Sequence, residues 1–197
     1  MGKIFCLMGK SSSGKDTIFK ALKEDKDLNL KPIVPYTTRP QRANEVDGVD
    51  YCFIDQAALE DFCQAGKIIE QREYDTVKGK WYYATVNDGQ VDLSKDNYLL
   101  IGTLPAYKSL QAYFGSNSIV PIYIEVEDAV RLERALNREK KQPQPNYNEM
   151  CRRFLADSSD FSSAKLAECN IIKCYYNNEL DECIGKIKTD ILNEISN

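Results

Sequence analysis

The chain has 197 residues, 43% of them hydrophobic, which supplies one full core and leaves too little for two ordinary domains unless one is a small insertion. A formal charge of -4, from 30 acidic against 26 basic residues, gives no net positive field to draw it to nucleic acid or a membrane surface, so any phosphate recognition must be local. Seven cysteines with no C-x-x-C pair, and no histidine, argue against a disulfide framework or a zinc site and read as reduced, mostly core thiols of a cytoplasmic protein.

The first predicted element is a strand over 4–8, a continuous apolar run stopped by Gly9, as expected of a strand buried on both faces of a parallel sheet. After it comes Gly9-Lys10-Ser11-Ser12-Ser13-Gly14-Lys15, which fits G-x-x-x-x-G-K and departs from the full pattern only in having Asp16 where Ser or Thr is usual. Ile18, Phe19 and Leu22 then recur at helical spacing, so the glycine loop sits between a strand and a helix. In that context backbone N–H groups converge on one point suited to a phosphate, and Lys15 reaches the terminal phosphates as a point charge. Asp16 has two readings: a carboxylate favoured by the helix macrodipole, or, with Thr17, a ligand for the magnesium that bridges it to nucleotide phosphates.

The segment from about 36 to 90 differs from its surroundings, with many Tyr, Thr and Gly, no long helix expected, and extended pieces at 51–54 and 81–85. It reads as a small β-rich insertion. Further buried strands are predicted at 98–101 and 119–124, each followed by helical apolar spacing, and strands alternating with helices indicate a parallel α/β sheet. A helix over 128–140 counts Val130, Leu132 and Leu136 among its apolar positions, and Pro143 and Pro145 follow it. Asn146 or Asn148 caps the next helix, through Phe154 and Leu155; Asn178 begins a last amphipathic one. No apolar run approaches the roughly eighteen residues of a membrane span.

The insertion carries the run PYTTRPQRANEVDGVDYCFID, residues 35–55. Arg39 and Arg42 supply planar forks for a second phosphate and Thr37, Thr38 and Tyr51 add hydroxyls, although such a run taken alone is also a solvated turn. The pattern T-T-R-P-x-R-x-x-E-V-D-G-V-D-Y-x-F resembles the signature of the guanylate kinase family. The resemblance continues in the family's order through Glu70, Tyr83-Ala84-Thr85, Arg134, Arg138, Arg153 and Asn177, covering nearly the whole chain.

The resemblance implies an α/β P-loop kinase fold, a parallel sheet flanked by helices with a small β-rich nucleotide-monophosphate-binding insertion and a helical lid. The core would be 1–35 and 92–197, the lid within about 134–153 and the GMP-binding insertion 36–91. The implied reaction is transfer of the γ-phosphoryl of ATP to GMP with Mg2+, a chemistry that needs positive charge and exclusion of water more than covalent help. By similarity, Arg39, Arg42, Tyr51 and Tyr83 grip the GMP phosphate, Glu70 accepts from guanine N1–H and its 2-amino group, and Thr85 faces the O6/N7 edge. ATP falls to residues 9–17 and Asn177, while Lys15, Arg39, Arg134, Arg138 and Arg153 act on the moving phosphoryl group. For the lid arginines, plain charges on a helix surface are the alternative. The implied partners are the two nucleotides alone, with no nucleic acid or membrane, in a monomer or homodimer.

Departures from the pattern lie mostly around the base. Pro35 stands where the family usually has a serine that reads O6, and Ile101 and Thr103 occupy an Asp-x-Asp, so Thr103 is the GMP-side residue left there. About four extra residues around 76–80 lengthen a hairpin. Base choice is therefore the looser expectation, with dGMP or a modified monophosphate as alternative substrates, and a non-catalytic interaction domain as the remaining one.

Overall fold

The computed structural model describes residues 1–76 and 79–196. A five-stranded parallel sheet is built from β1 (Ile4–Gly9), β2 (Leu30–Pro32), β7 (Asn97–Ile101), β8 (Ile119–Glu125) and β9 (Cys174–Tyr176), in the order β2-β7-β1-β8-β9. β1 lies at its centre, with Ile4 beside both Tyr98 and Ile119, and every residue of β1 is buried. Its continuous apolar run follows from burial on both faces. Phe5 and Leu7 pack with Ile18 and Leu22 of α1 (Lys15–Glu24) and with Ile187 and Ile191 of α7 (Leu180–Ser196). Ile4, Cys6 and Met8 face the other way, towards Leu104, Tyr107 and Leu110 of α3 (Leu104–Phe114). Each such Ile or Leu stabilises the fold by about 1.5–3 kcal/mol relative to an exposed one.

A second, four-stranded sheet in the order β4-β3-β6-β5 is made of β3 (Tyr36–Thr37), β4 (Cys52–Phe53), β5 (Ile68–Thr76) and β6 (Gly79–Val86). α2 (Gln56–Gln64) covers it, with Leu59 packed on Ala84 and Val86, and the Asp55 side chain caps that helix by accepting from the Ala58 N–H. The stretch read as β-rich thus contains a helix too. Val77 and Lys78, within the expected hairpin extension, lie outside the described residues.

The remaining helices are α4 (Asp128–Glu139), α5 (Tyr147–Asp160) and α6 (Ser163–Glu168). Asn146 rather than Asn148 caps α5, accepting from Glu149 N–H at 3.0 Å, and the last helix starts at Leu180, two residues later than expected. Two expectations fail. Leu132 is exposed, and the buried positions of α4 are Arg131 and Ala135, because this helix faces the phosphate loop and α5 rather than an apolar layer. Of the seven cysteines, all free, only Cys6, Cys169 and Cys183 are buried.

Ligands of open α/β sheets bind outside the carboxyl ends of the strands. Here those ends deliver the loop after β1, Thr103 after β7 and Asn177 after β9 to one edge, while β5 of the second sheet lies against α3.

Candidate active site

The turn from β1 into α1 imposes its own residue types. A side chain on Gly9 would come within 2.8 Å of the Ile124 carbonyl oxygen. Gly14 has φ +87°, and a Cβ there would lie 2.4 Å from Asn177 Nδ2. Ser12 takes φ 63°, a left-handed conformation uncommon outside glycine, so the loop is held in place by what surrounds it. Asn177 donates from Nδ2 to the Ser13 carbonyl at 2.8 Å, and Asp157 accepts from the Ser11 N–H at 2.7 Å. Arg131 donates from Nε to the Ser11 carbonyl at 3.1 Å, pairs with Asp128 and Asp157, and stacks on Phe154. The Ser12 and Ser13 hydroxyls and Asn177 Oδ1 are buried without a hydrogen-bond partner, polar groups of the kind that a phosphate-bearing ligand would satisfy.

Cations gather at the mouth of this loop. Burial lowers the Lys15 pKa; Asp16 and Asp157 oppose that shift, and Arg153 and Arg138 add to it. Arg153 donates to Ser11 Oγ at 3.3 Å, and Ser11, Arg138 and Arg153 line one cleft between α4 and α5. Arg134 instead donates to the Asn177 carbonyl at 3.3 Å, and Lys10 turns back to Glu125 and Asp128, at 3.8 and 3.7 Å. Asp16 and Thr17 are exposed in the first turn of α1. Among the described residues no group of three His, Cys, Asp or Glu could hold a metal by itself. One carboxylate with a hydroxyl nearby still suits magnesium, which takes few protein ligands and fills its shell with phosphate and water.

The second sheet presents its own polar cluster. Arg39 is almost fully buried, donating from Nη1 and Nη2 to Glu45 at 2.7 and 2.6 Å and from Nε to the Tyr83 hydroxyl at 3.0 Å, beneath the Tyr51 ring at 4.9 Å. The hydrogen bonds from Arg39 hold the Glu45 carboxyl down at about 2. Arg42 projects into solvent, 4.0 Å from Glu45. Tyr51 and Tyr83 meet edge to face at 5.7 Å. Deeper in, Glu70 pairs across the hairpin with Thr85, whose hydroxyl donates to it at 3.0 Å, and accepts from Arg72 Nε and Nη2 at 3.1 and 3.3 Å. Burial opposes the Arg72 charge, but the Glu70 carboxylate beside it works the other way and its pKa is raised. The pair is felt in the core, where burial pushes the Cys6 thiol up to about 12, with Arg72 opposing and Glu70 adding. Thr103 caps α3, accepting from the Ala106 N–H at 3.4 Å.

A family model for guanylate kinase matches residues 1–194. The chain belongs to the guanylate kinase family. Guanylate kinases of Paraburkholderia xenovorans and Mycoplasma mobile are each 30% identical to it, over 92% and 98% of this chain and 77% and 94% of theirs. That of Malacoplasma penetrans is 30% identical over 70% of this chain, which spans 58% of that relative. A crystal structure of guanylate kinase from Anaplasma phagocytophilum shares the fold, with TM-score 0.68 at 20% identity over 98% of this chain and 86% of its own.

Sequence reasoning misses four charged residues of this site: Glu45, Arg72, Arg131 and Asp157. Arg72 was within reach, since residues two apart on a strand share a face and Glu70 was already singled out. Arg131 and Asp157 carry no such signal, because their partner Ser11 lies 120 and 146 residues away in sequence.

Proposed function

We infer that this chain is a guanylate kinase, moving the γ-phosphoryl group of ATP to GMP to give ADP and GDP. One observation carries the reading: Arg153, 3.3 Å from Ser11 Oγ, and Arg138 line one cleft against the phosphate loop that ends in Lys15, a gathering of cations that an anion would relieve. ATP lies along residues 9–17, with Lys15 on its phosphates, Lys10 and Ser11–Gly14 forming the cradle, and Asn177 bracing that cradle at Ser13 and Gly14. Magnesium arrives with ATP; Asp16 and Thr17 would hold it, and it neutralises phosphate charge.

On the other side Arg39, Arg42, Tyr51 and Tyr83 receive the GMP phosphate. Glu70 accepts from guanine N1–H and the 2-amino group, with Thr85 and Thr103 at the rim. Arg134, Arg138 and Arg153 then surround the phosphoryl group in transit. Residues 36–91 act as the GMP-binding insertion, 1–35 and 92–197 as the core, and about 134–153 as the lid. The setting is the cytoplasm, where seven free thiols stay reduced.

The test is a panel of nucleoside monophosphates with Mg-ATP, followed by ADP release. GMP is expected to give the highest kcat/KM. Transfer to none of the panel, or equal rates for GMP and AMP, would overturn the reading.

A further inference from the structure

We propose that Arg72 is a specificity-determining residue: paired with Glu70, its guanidinium donates a hydrogen bond to the carbonyl edge of the bound base. The inference rests on the guanylate kinase reading above and assigns a residue to which that reading gives no role. Glu70 and Arg72 stand two apart on β5, on the face where Thr85 and Tyr83 lie directly opposite them. The Glu70 side chain is 4% exposed and that of Arg72 22%, so both are largely withdrawn from solvent.

Three of the other positions expected around the base supply no free donor. Thr85 gives its one hydroxyl proton to Glu70. Pro35 has no backbone N–H. Ile101 carries no polar side-chain atom, whereas Thr103, whose oxygen accepts from the Ala106 N–H at the start of α3, keeps its proton to donate. Of the five N–H donors of a guanidinium, Arg72 gives two to Glu70, in a planar fork that fixes the direction of the others.

A carboxylate and a guanidinium side by side present acceptors and then donors. Guanine presents the complement, two donors at N1–H and the 2-amino group beside an acceptor at O6, and arginine is the usual partner of that O6. Adenine inverts the pattern: its amino group would meet the guanidinium and its bare N1 the carboxylate. The same pair therefore attracts one purine and repels the other.

The experiment compares wild type, Arg72→Ala and Arg72→Lys in kcat/KM with GMP, 6-thioguanosine 5′-monophosphate and AMP. The thio compound keeps N1–H and the 2-amino group but offers a weak acceptor in place of O6. Arg72→Ala should lower GMP use about tenfold to a hundredfold, as for a lost charge-assisted hydrogen bond, and the thio compound by less than about threefold. Arg72→Lys, which keeps the charge and loses the fork, should fall between, and it carries the same ratio test should Arg72→Ala fail to fold. Equal losses for both compounds would make Arg72 a support for Glu70 alone, and a gain in GMP use would make it a competitor for that carboxylate; either overturns the inference. A wild type inactive on GMP overturns the kinase reading and this inference together, whereas an active wild type with an unchanged ratio in the variants overturns only the inference.

Discussion

Lys15 is held where its charge is least comfortable, half-buried at the start of α1 with Arg138 and Arg153 nearby. An ammonium so placed acts mainly on an anion whose charge is changing, so its removal should show in turnover more than in folding. Lys15→Ala is expected to lower kcat by orders of magnitude while the melting temperature moves little, measured by coupled ADP release and thermal unfolding. Turnover within a factor of three of wild type would remove Lys15 from the mechanism. Ser12 shows the other side of the same loop. Its left-handed backbone and buried, unpartnered hydroxyl are local rules broken together, and they are broken where the chain is shaped for a ligand rather than for its own packing.

Arg131 and Asp157 tie α4 and α5 to the phosphate loop. Asp157→Ala would leave the Ser11 N–H without its partner and strip one carboxylate from a guanidinium that is 1% exposed. An unsatisfied buried group costs about 1–3 kcal/mol, so denaturant unfolding should show a loss of that size, with a raised KM for ATP as the loop loosens. An unchanged midpoint and KM would show that the tie carries no strain. The elements themselves were unequally legible. β1, β7 and β8 announce themselves because burial on both faces forces an unbroken apolar run, and α1 and α7 keep one apolar stripe against them. β2 and β9 have three residues each and α6 has six, too short for any period to register. α4 misleads for a physical reason: its buried face is turned to the loop and α5, so it hides an arginine and leaves Leu132 in water. In the candidate site, the strand, loop and helix around Gly9 and Gly14 follow from local pattern. The ion pairs of Arg39 and Arg131 do not, because a charge destined for burial looks in sequence like any surface charge until its distant partner is known.

The parallel sheet and the smaller sheet place their polar residues on separate elements. Phosphoryl transfer between two nucleotides requires those elements to converge and to shut out water. The proposed insertion 36–91 and the proposed lid around 134–153 are therefore expected to swing inward when both nucleotide sites are filled. Small-angle scattering of the free protein and of its complex with a bisubstrate analogue should give a smaller radius of gyration for the complex; equal radii would rule against closure.

Arg39 is locked on Glu45, so at the proposed GMP-phosphate site binding would be an exchange of anions, and the exchange should be visible in protons. Hydrogen bonds from Arg39 keep Glu45 ionised down to about pH 2, whereas a glutamate released from them titrates near 4.5. If the GMP phosphate takes over the arginine, the pKa of Glu45 rises on binding, so at about pH 4 the complex takes up a proton that the free protein does not hold, about half or more per site. By linkage, Glu45 then favours binding as the pH falls through this window, and contributes nothing to pH dependence near 7. Calorimetry of GMP binding at pH 4 in buffers of different ionisation enthalpy reads that uptake directly. It should vanish in Glu45→Gln, and a wild type that takes up no proton would mean that Glu45 keeps its arginine throughout the cycle.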